Sequence, residues 1–153
     1  MPELFLASEA ETEELGLRIG RALAPSTILL LDGELGAGKT TVTRGIARGL
    51  GVEREVTSPT FLTLKVYATS LGVPLLHVDL YRVAVEGYLE EQGILEEVDE
   101  GAIAVVEWGE KAGDLQGYRT LELRITEEGE GRRALLSAGA EWKERLERVG
   151  LEI

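Results

Sequence analysis

The chain has 153 residues, 44% hydrophobic and 29% charged, which suits one soluble domain with a real core. No apolar run approaches the ~20 residues of a membrane span, and the absence of cysteine excludes disulfides and thiolate metal sites. A net charge of −12, from 28 acidic and 16 basic residues, repels a polyanion, and no basic stripe would hold RNA or DNA unaided. The same charge serves solubility equally well. Met1-Pro2-Glu3-Leu4 lacks a basic region followed by an apolar one, so no secretory signal is visible and a cytoplasmic location is expected.

Ser8 followed by Glu11 makes a capping box that starts a helix near Glu9. Its apolar face is Leu15, Ile19, Ala22 and Leu23, and Pro25 ends it. Thr27 to Leu31 is an apolar run of strand length. Gly33-Glu34-Leu35-Gly36-Ala37-Gly38-Lys39-Thr40 follows, fitting G-x-x-x-x-G-K-[ST], the phosphate-binding loop. From Thr41 to Leu50 the apolar residues Val42, Ile46 and Leu50 recur every four positions, one face of a helix that Gly49-Leu50-Gly51 caps. Next come Val56-Thr57-Ser58-Pro59-Thr60 and an alternating strand over 61–69 (Leu62, Leu64, Val66). Gly72-Val73-Pro74 turns it into a second strand from Leu75 to Tyr81, so the two can pair as a hairpin.

Seven of the fifteen residues from Glu86 to Glu100 are acidic and none is basic; short solvated helices with Leu89, Ile94, Leu95 and Val98 inward are expected. Ala102 to Val106 is fully apolar and runs into Glu107-Trp108, the pattern of a buried central strand. Tyr118 to Thr126 alternates, Gly129-Glu130-Gly131 turns, and Arg132 to Ser137 returns as a second hairpin. A helix from about Ala140 closes the chain with Trp142, Leu146 and Val149 inward and i,i+4 pairs Glu141–Arg145 and Glu144–Arg148 outside. No linker or repeat interrupts 1–153. The expected fold is one α/β domain of P-loop NTPase type: a central mixed sheet with parallel core strands, antiparallel hairpins, and helices on both faces.

The glycines of the loop let the backbone approach a ligand, and its N–H groups form a nest for anionic oxygens at a helix N-terminus. Gly36, Ala37, Gly38, Lys39, Thr40 and Thr41 are therefore the expected nucleotide-phosphate contacts. Lys39 would reach the β- and γ-phosphates, and Thr40 would ligate Mg²⁺. Hydrolysis also needs a carboxylate near the metal. Ligands of open α/β sheets bind at the carboxyl ends of the parallel strands, where Glu107 and Asp79 lie. Glu107 is the stronger candidate and Asp79 the second, able to hold a metal-bound or attacking water. Ser58-Pro59-Thr60 occupies the position of a first switch segment, although alone it reads as a turn. His77, inside a strand, reads as structural rather than catalytic.

The ordered set GELGAGKTT (33–41), SPTF (58–61), HVDLYR (77–82), EW (107–108) and the late Gly131-Arg132 resembles the TsaE family. These are bacterial P-loop ATPases that support threonylcarbamoyladenosine modification of tRNA, and the resemblance spans about residues 4 to 138. It implies that Thr40 and Glu107 hold Mg²⁺ while Asp79 assists hydrolysis of ATP. It implies that Thr12 and Arg132 lie near the base or ribose, and that Ser58 to Thr60 form the switch. It implies that Trp108 sits at a nucleotide-sensitive or partner surface, and that the partners are TsaB and TsaD, with TsaD transferring the threonylcarbamoyl group. Hydrolysis would reset that complex, and direct tight tRNA binding is not expected. Gly109 departs from the family, in which many members have proline.

Three other readings stay open. A small-molecule kinase would carry an arginine-bearing lid, yet Arg119, Arg124, Arg132 and Arg133 lie in expected strands. A GTPase would commonly carry an N-K-x-D element, and the chain has no asparagine. A nucleotide-gated adaptor with incidental hydrolysis overlaps with the leading reading.

Overall fold

A computed structural model describes residues 3–34, 36–56, 63–84 and 87–152. The proposed switch, Ser58, Pro59 and Thr60, lies outside them, as do Leu35 of the loop and the start of the 61–69 strand. The elements in chain order are β1 (Glu3–Leu6), α1 (Glu9–Ala22), β2 (Thr27–Asp32), α2 (Lys39–Gly49), β3 (Leu64–Ala68) and β4 (Pro74–Asp79). Then come α3 (Tyr88–Glu91), α4 (Ile94–Asp99), β5 (Ile103–Glu107), β6 (Arg119–Glu128), β7 (Gly131–Ala138) and α5 (Lys143–Arg148). Short 3-10 turns cover Gly109–Lys111 and Ala140–Trp142.

Among the described residues all strands join one sheet in the order β1-β7-β6-β2-β5-β4-β3. The inner strands β6, β2, β5 and β4 are parallel; the hairpin partners β7 and β3, and β1 beyond β7, run antiparallel. The expected mixed sheet with helices on both faces is what the chain forms. β2 and β5 sit at its centre because they are apolar on both faces; Ile28, Leu29, Leu31 and Ile103 through Val106 are fully buried.

The pairing register sorts side chains by face. Leu29, Leu31, Leu75, Ile103, Val105, Leu121 and Leu123 lie in the cluster under α1 and α2. Ile28, Leu76, Val78, Ala104 and Val106 lie in the cluster with Leu89, Ile94 and Val98 of α3 and α4. Every inward residue expected of the acidic stretch is at least partly buried there, Leu95 included.

α1 starts as its sequence says: the Ser8 hydroxyl accepts from the Glu11 N–H at 3.2 Å, and the Glu11 carboxylate accepts from the Ala7 N–H. α1 and α2 then pack almost backbone to backbone. A Cβ on Gly16 would lie 2.2 Å from the Val42 carbonyl oxygen, and one on Gly45 would lie 2.1 Å from that of Glu13. No bulkier residue fits between them, so Thr12 on α1 is held against the loop that starts α2.

Four expectations change. β1 had no signal in the sequence, because four residues are too few to show a period; it exists by pairing with β7. In β3 the alternation pointed to Val66 as inward, yet Val66 is 51% exposed and Tyr67 is 1% exposed. Both faces of this edge strand carry apolar residues: Tyr67 is covered in the cluster holding Val52 and Val56, while on the other face Leu64 packs partly against the second cluster and Val66 is left exposed. The last helix begins later than expected, at Lys143, after a 3-10 turn that includes Glu141. The Glu141–Arg145 pair is replaced accordingly: the Arg145 Nε donates to the Ala22 carbonyl at 2.9 Å, at the end of α1. The companion pair Glu144–Arg148 forms at 2.8 Å.

Candidate functional site

The loop between β2 and α2 closes over the carboxyl ends of the parallel strands. Gly36 and Gly38 take positive φ angles of 80° and 108°, which side-chain-bearing residues avoid, and Gly38 becomes the N-cap of α2. In the register of the sheet Leu31 of β2 faces Glu107 of β5, and Glu107 faces Asp79 of β4. Three consecutive strands thus end at one level, and that level is where the loop lies.

Two cavities meet at the loop and share Gly36, Gly38 and Thr41. One, of about 250 Å³, is lined by those residues with Lys39, Thr40, Asp79, Glu107 and Trp108. The other, of about 370 Å³, is lined also by Leu6, Ser8, Glu9, Thr12, Glu130, Gly131 and Arg132. The expected site residues therefore divide: Lys39, Thr40, Asp79, Glu107 and Trp108 face the first cavity, Thr12 and Arg132 the second. Ala37 is buried and takes part through its carbonyl, as described next.

Arg132 crosses from β7 to hold the loop. Its Nε donates to the Ala37 carbonyl at 2.9 Å and an Nη to the Gly36 carbonyl at 3.1 Å. This planar fork takes up two loop carbonyls, leaving the loop's N–H groups for an anion. Arg133 is engaged elsewhere, with Glu3 and Glu128 at 2.6 Å each. With Arg119 and Arg124 on β6, the four arginines weighed as a kinase lid all lie on strands.

Lys39 is buried, and its Nζ donates to the Gly33 carbonyl at 2.6 Å while sitting 4.0 Å from the Trp108 ring centre. Trp108 reaches this position in the left-handed region, with φ 61°. Tyr81 leans on the same indole at 5.0 Å. Gly109 packs so closely on β2 that a Cβ would fall 2.7 Å from Cβ of Leu30, which explains glycine at this turn where a proline ring would collide. Asp79 accepts the Tyr81 N–H through Oδ1 at 2.9 Å, which leaves Oδ2 free of that bond.

Two neighbours of the site were not picked out from the sequence as part of it. The buried His77 places Nε2 2.6 Å from Oε2 of the buried Glu107. His77 and Asp79 are two apart on one strand, so they share a face; period-2 spacing carried that signal, but not the Glu107 contact. The second is Asp32, buried at the end of β2, against which Glu110 lies. A hydrogen bond to Asp32, then burial, raises the Glu110 carboxyl above its ordinary value. Among the described residues Asp32 Oδ1 is buried without a hydrogen-bond partner.

The donor set suits a nucleotide with a hard divalent cation: a loop of N–H groups, one lysine, one threonine hydroxyl and carboxylates, with no sulfur ligand. Among the described residues no group of three or more His, Cys, Asp or Glu side chains that could hold a metal ion occurs.

Comparison with known proteins agrees with this geometry. A family model described as "Threonylcarbamoyl adenosine biosynthesis protein TsaE" matches residues 6–135. A Streptomyces coelicolor protein named tRNA threonylcarbamoyladenosine biosynthesis protein TsaE is 46% identical over 119 residues, 73% of this chain and 76% of that protein. A Treponema pallidum protein of the same name is 40% identical over 124 residues, 80% of this chain and 90% of that protein. The crystal structure of Bacillus subtilis YdiB matches with a TM-score of 0.75 and 26% identity, over 97% of this chain and 93% of that one. A phosphate loop at the head of β2, carboxylates closing β4 and β5, and these relatives over most of the chain lead to one assignment: the chain belongs to the TsaE family.

Proposed function

We propose that residues 1–153 act as one Mg²⁺-dependent ATPase that works with TsaB and TsaD in threonylcarbamoyladenosine modification of tRNA, ATP hydrolysis resetting the partner complex. The observation that carries this reading is the convergence of Lys39, Thr40, Asp79 and Glu107 on one cavity at the phosphate loop. Thr12 and Arg132 border the adjoining cavity, sized for a ribose and base.

In this reading the loop N–H groups and Lys39 bind the phosphates, Lys39 leaving the Gly33 carbonyl for the β- and γ-phosphates. Thr40 and Glu107 would hold Mg²⁺, which when bound offsets charge on the phosphate oxygens. Asp79 orients a water through Oδ2, the water adds to the γ-phosphorus as its proton passes to the departing phosphate, and the bond to the ADP oxygen breaks, releasing ADP and phosphate. Trp108 covers Lys39 and so senses which partner the lysine has. Ser58 to Thr60 serve as the switch. The −12 charge leaves tRNA binding to the partners. A cytoplasmic site of action fits these partners, and no helix among the described residues is long and apolar enough to cross a membrane.

The test is Mg²⁺-dependent ATP hydrolysis, alone and with TsaB and TsaD of the same organism. Slow turnover alone and a clear rise with the pair supports the reading. Firm nucleotide binding with no rise favours a kinase or an adaptor. Glu107→Ala should lower hydrolysis more than nucleotide binding; equal loss of both argues against its role.

A further inference from the structure

His77 and Glu107 are among the few buried polar side chains, 0% and 4% exposed, and they are each other's partner at 2.6 Å. The sheet explains why they meet. β4 and β5 run parallel with His77 opposite Val105 and Asp79 opposite Glu107, so all four side chains share the α2 face. His77 lies one pleat behind Glu107, on the core side of the cavity. Glu107 lines that cavity and His77 does not.

The remaining ring nitrogen settles the direction of the bond. Among the described residues His77 Nδ1 is buried without a hydrogen-bond partner. A proton there would be a donor with no acceptor, and Nε2 would face Oε2 as two acceptors. Nε2 is therefore the donor in this pair and the Glu107 carboxylate the acceptor. One carboxylate oxygen is satisfied and its plane held, while Glu107 lines the cavity.

We infer that His77 is a positioning residue of the phosphate site: its Nε2–H holds the Glu107 carboxylate in the orientation that presents Oε1 to the nucleotide-bound cation. This rests on the proposed metal role of Glu107. The arrangement is that of an outer partner orienting a ligand, in which loss of the partner weakens metal affinity about 10- to 100-fold.

The experiment measures ADP affinity in EDTA and in Mg²⁺, taking the ratio as the Mg²⁺ gain, alongside hydrolysis. His77→Leu should bind ADP in EDTA as the parent does and lose about tenfold of the Mg²⁺ gain. His77→Gln, whose amide reaches the Nε2 position, should recover most of it. His77→Asn, whose amide stops at the Nδ1 position, should behave as His77→Leu and replaces it if thermal melting shows the leucine variant unfolded. A Mg²⁺ gain within about twofold of the parent in His77→Leu or His77→Asn overturns the inference. So does a folded His77→Gln as defective as the others, since that pattern belongs to packing. Glu107→Gln separates the two readings. If it keeps the full gain, the metal role of Glu107 falls and His77 with it. If it loses the gain while the apolar variant keeps it, only the His77 assignment falls.

Discussion

At the scale of single residues the candidate nucleotide site is held in a waiting arrangement. Lys39 has its charge spread over a carbonyl and an indole face, two partners that a phosphate outcompetes. Lys39→Ala should lower ADP affinity about 10- to 100-fold, the worth of a hydrogen bond between charged groups, as isothermal titration would measure. Glu110 yields a pH prediction. Its folded carboxyl holds a proton to higher pH than the ordinary value of 4.5, because that proton bonds Asp32. The folded state thus binds the extra proton, and stability is lost as pH rises from the ordinary range through the raised value. Glu110→Gln can donate to Asp32 at any pH. Its melting temperature should exceed that of the parent at about pH 8, and the difference should close by about pH 4. A constant difference across that range would remove the shared proton from the account.

At the scale of elements, the α1–α2 contact carries most of the precision. Gly16, Gly20, Gly45 and Gly49 each stand where a Cβ would lie under 2.5 Å from a carbonyl oxygen of the other helix. That spacing welds α1 to the loop helix, and Glu13–Arg48 at 2.9 Å ties the exposed side. Gly45→Ala should destabilise by about 1–3 kcal/mol or more through overpacking, which a urea titration reads as a lower midpoint with unchanged slope. Nucleotide affinity should fall as well, since Thr12 and Gly38 move apart with the helices. The same substitution at an exposed glycine such as Gly72, which has nothing nearby to strike, tests only backbone strain.

At the scale of the whole molecule, the phosphate site joins both halves of the sheet. Gly36 to Thr41 come from the centre, Asp79 and Glu107 from one side, and Arg132 from the other. A ligand bound there bridges elements from both sides of the sheet and adds to the Arg132 contacts that already join β7 to the loop. ADP at 100 times its Kd adds about 2.7 kcal/mol to unfolding, or roughly 5–10 °C in Tm for a chain of this size. Lys39→Ala, with an affinity about 10- to 100-fold weaker, should lose about half of that rise or more at the same ADP concentration. A parent protein that shows no rise with Mg²⁺ and ADP would remove the nucleotide site from this account.

The sequence by itself determined most of the features written in short-range spacing, the inward face of β3 and the Glu141–Arg145 pair excepted. The phosphate loop, the α1 cap, the two hairpins and the central strands β2 and β5 follow from periods of two and four and from glycine placement, since neighbours in the chain are neighbours in space. The acids that close β4 and β5 were legible because strand ends are local too. Tertiary structure alone decided strand order, and with it which strand ends stand side by side. The Arg132 fork onto a loop 95 residues away, the pairing of β1 with β7, and the bond from His77 to Glu107 all depend on that order. No local pattern encodes it, because it is set by how the apolar faces of distant segments cover one another.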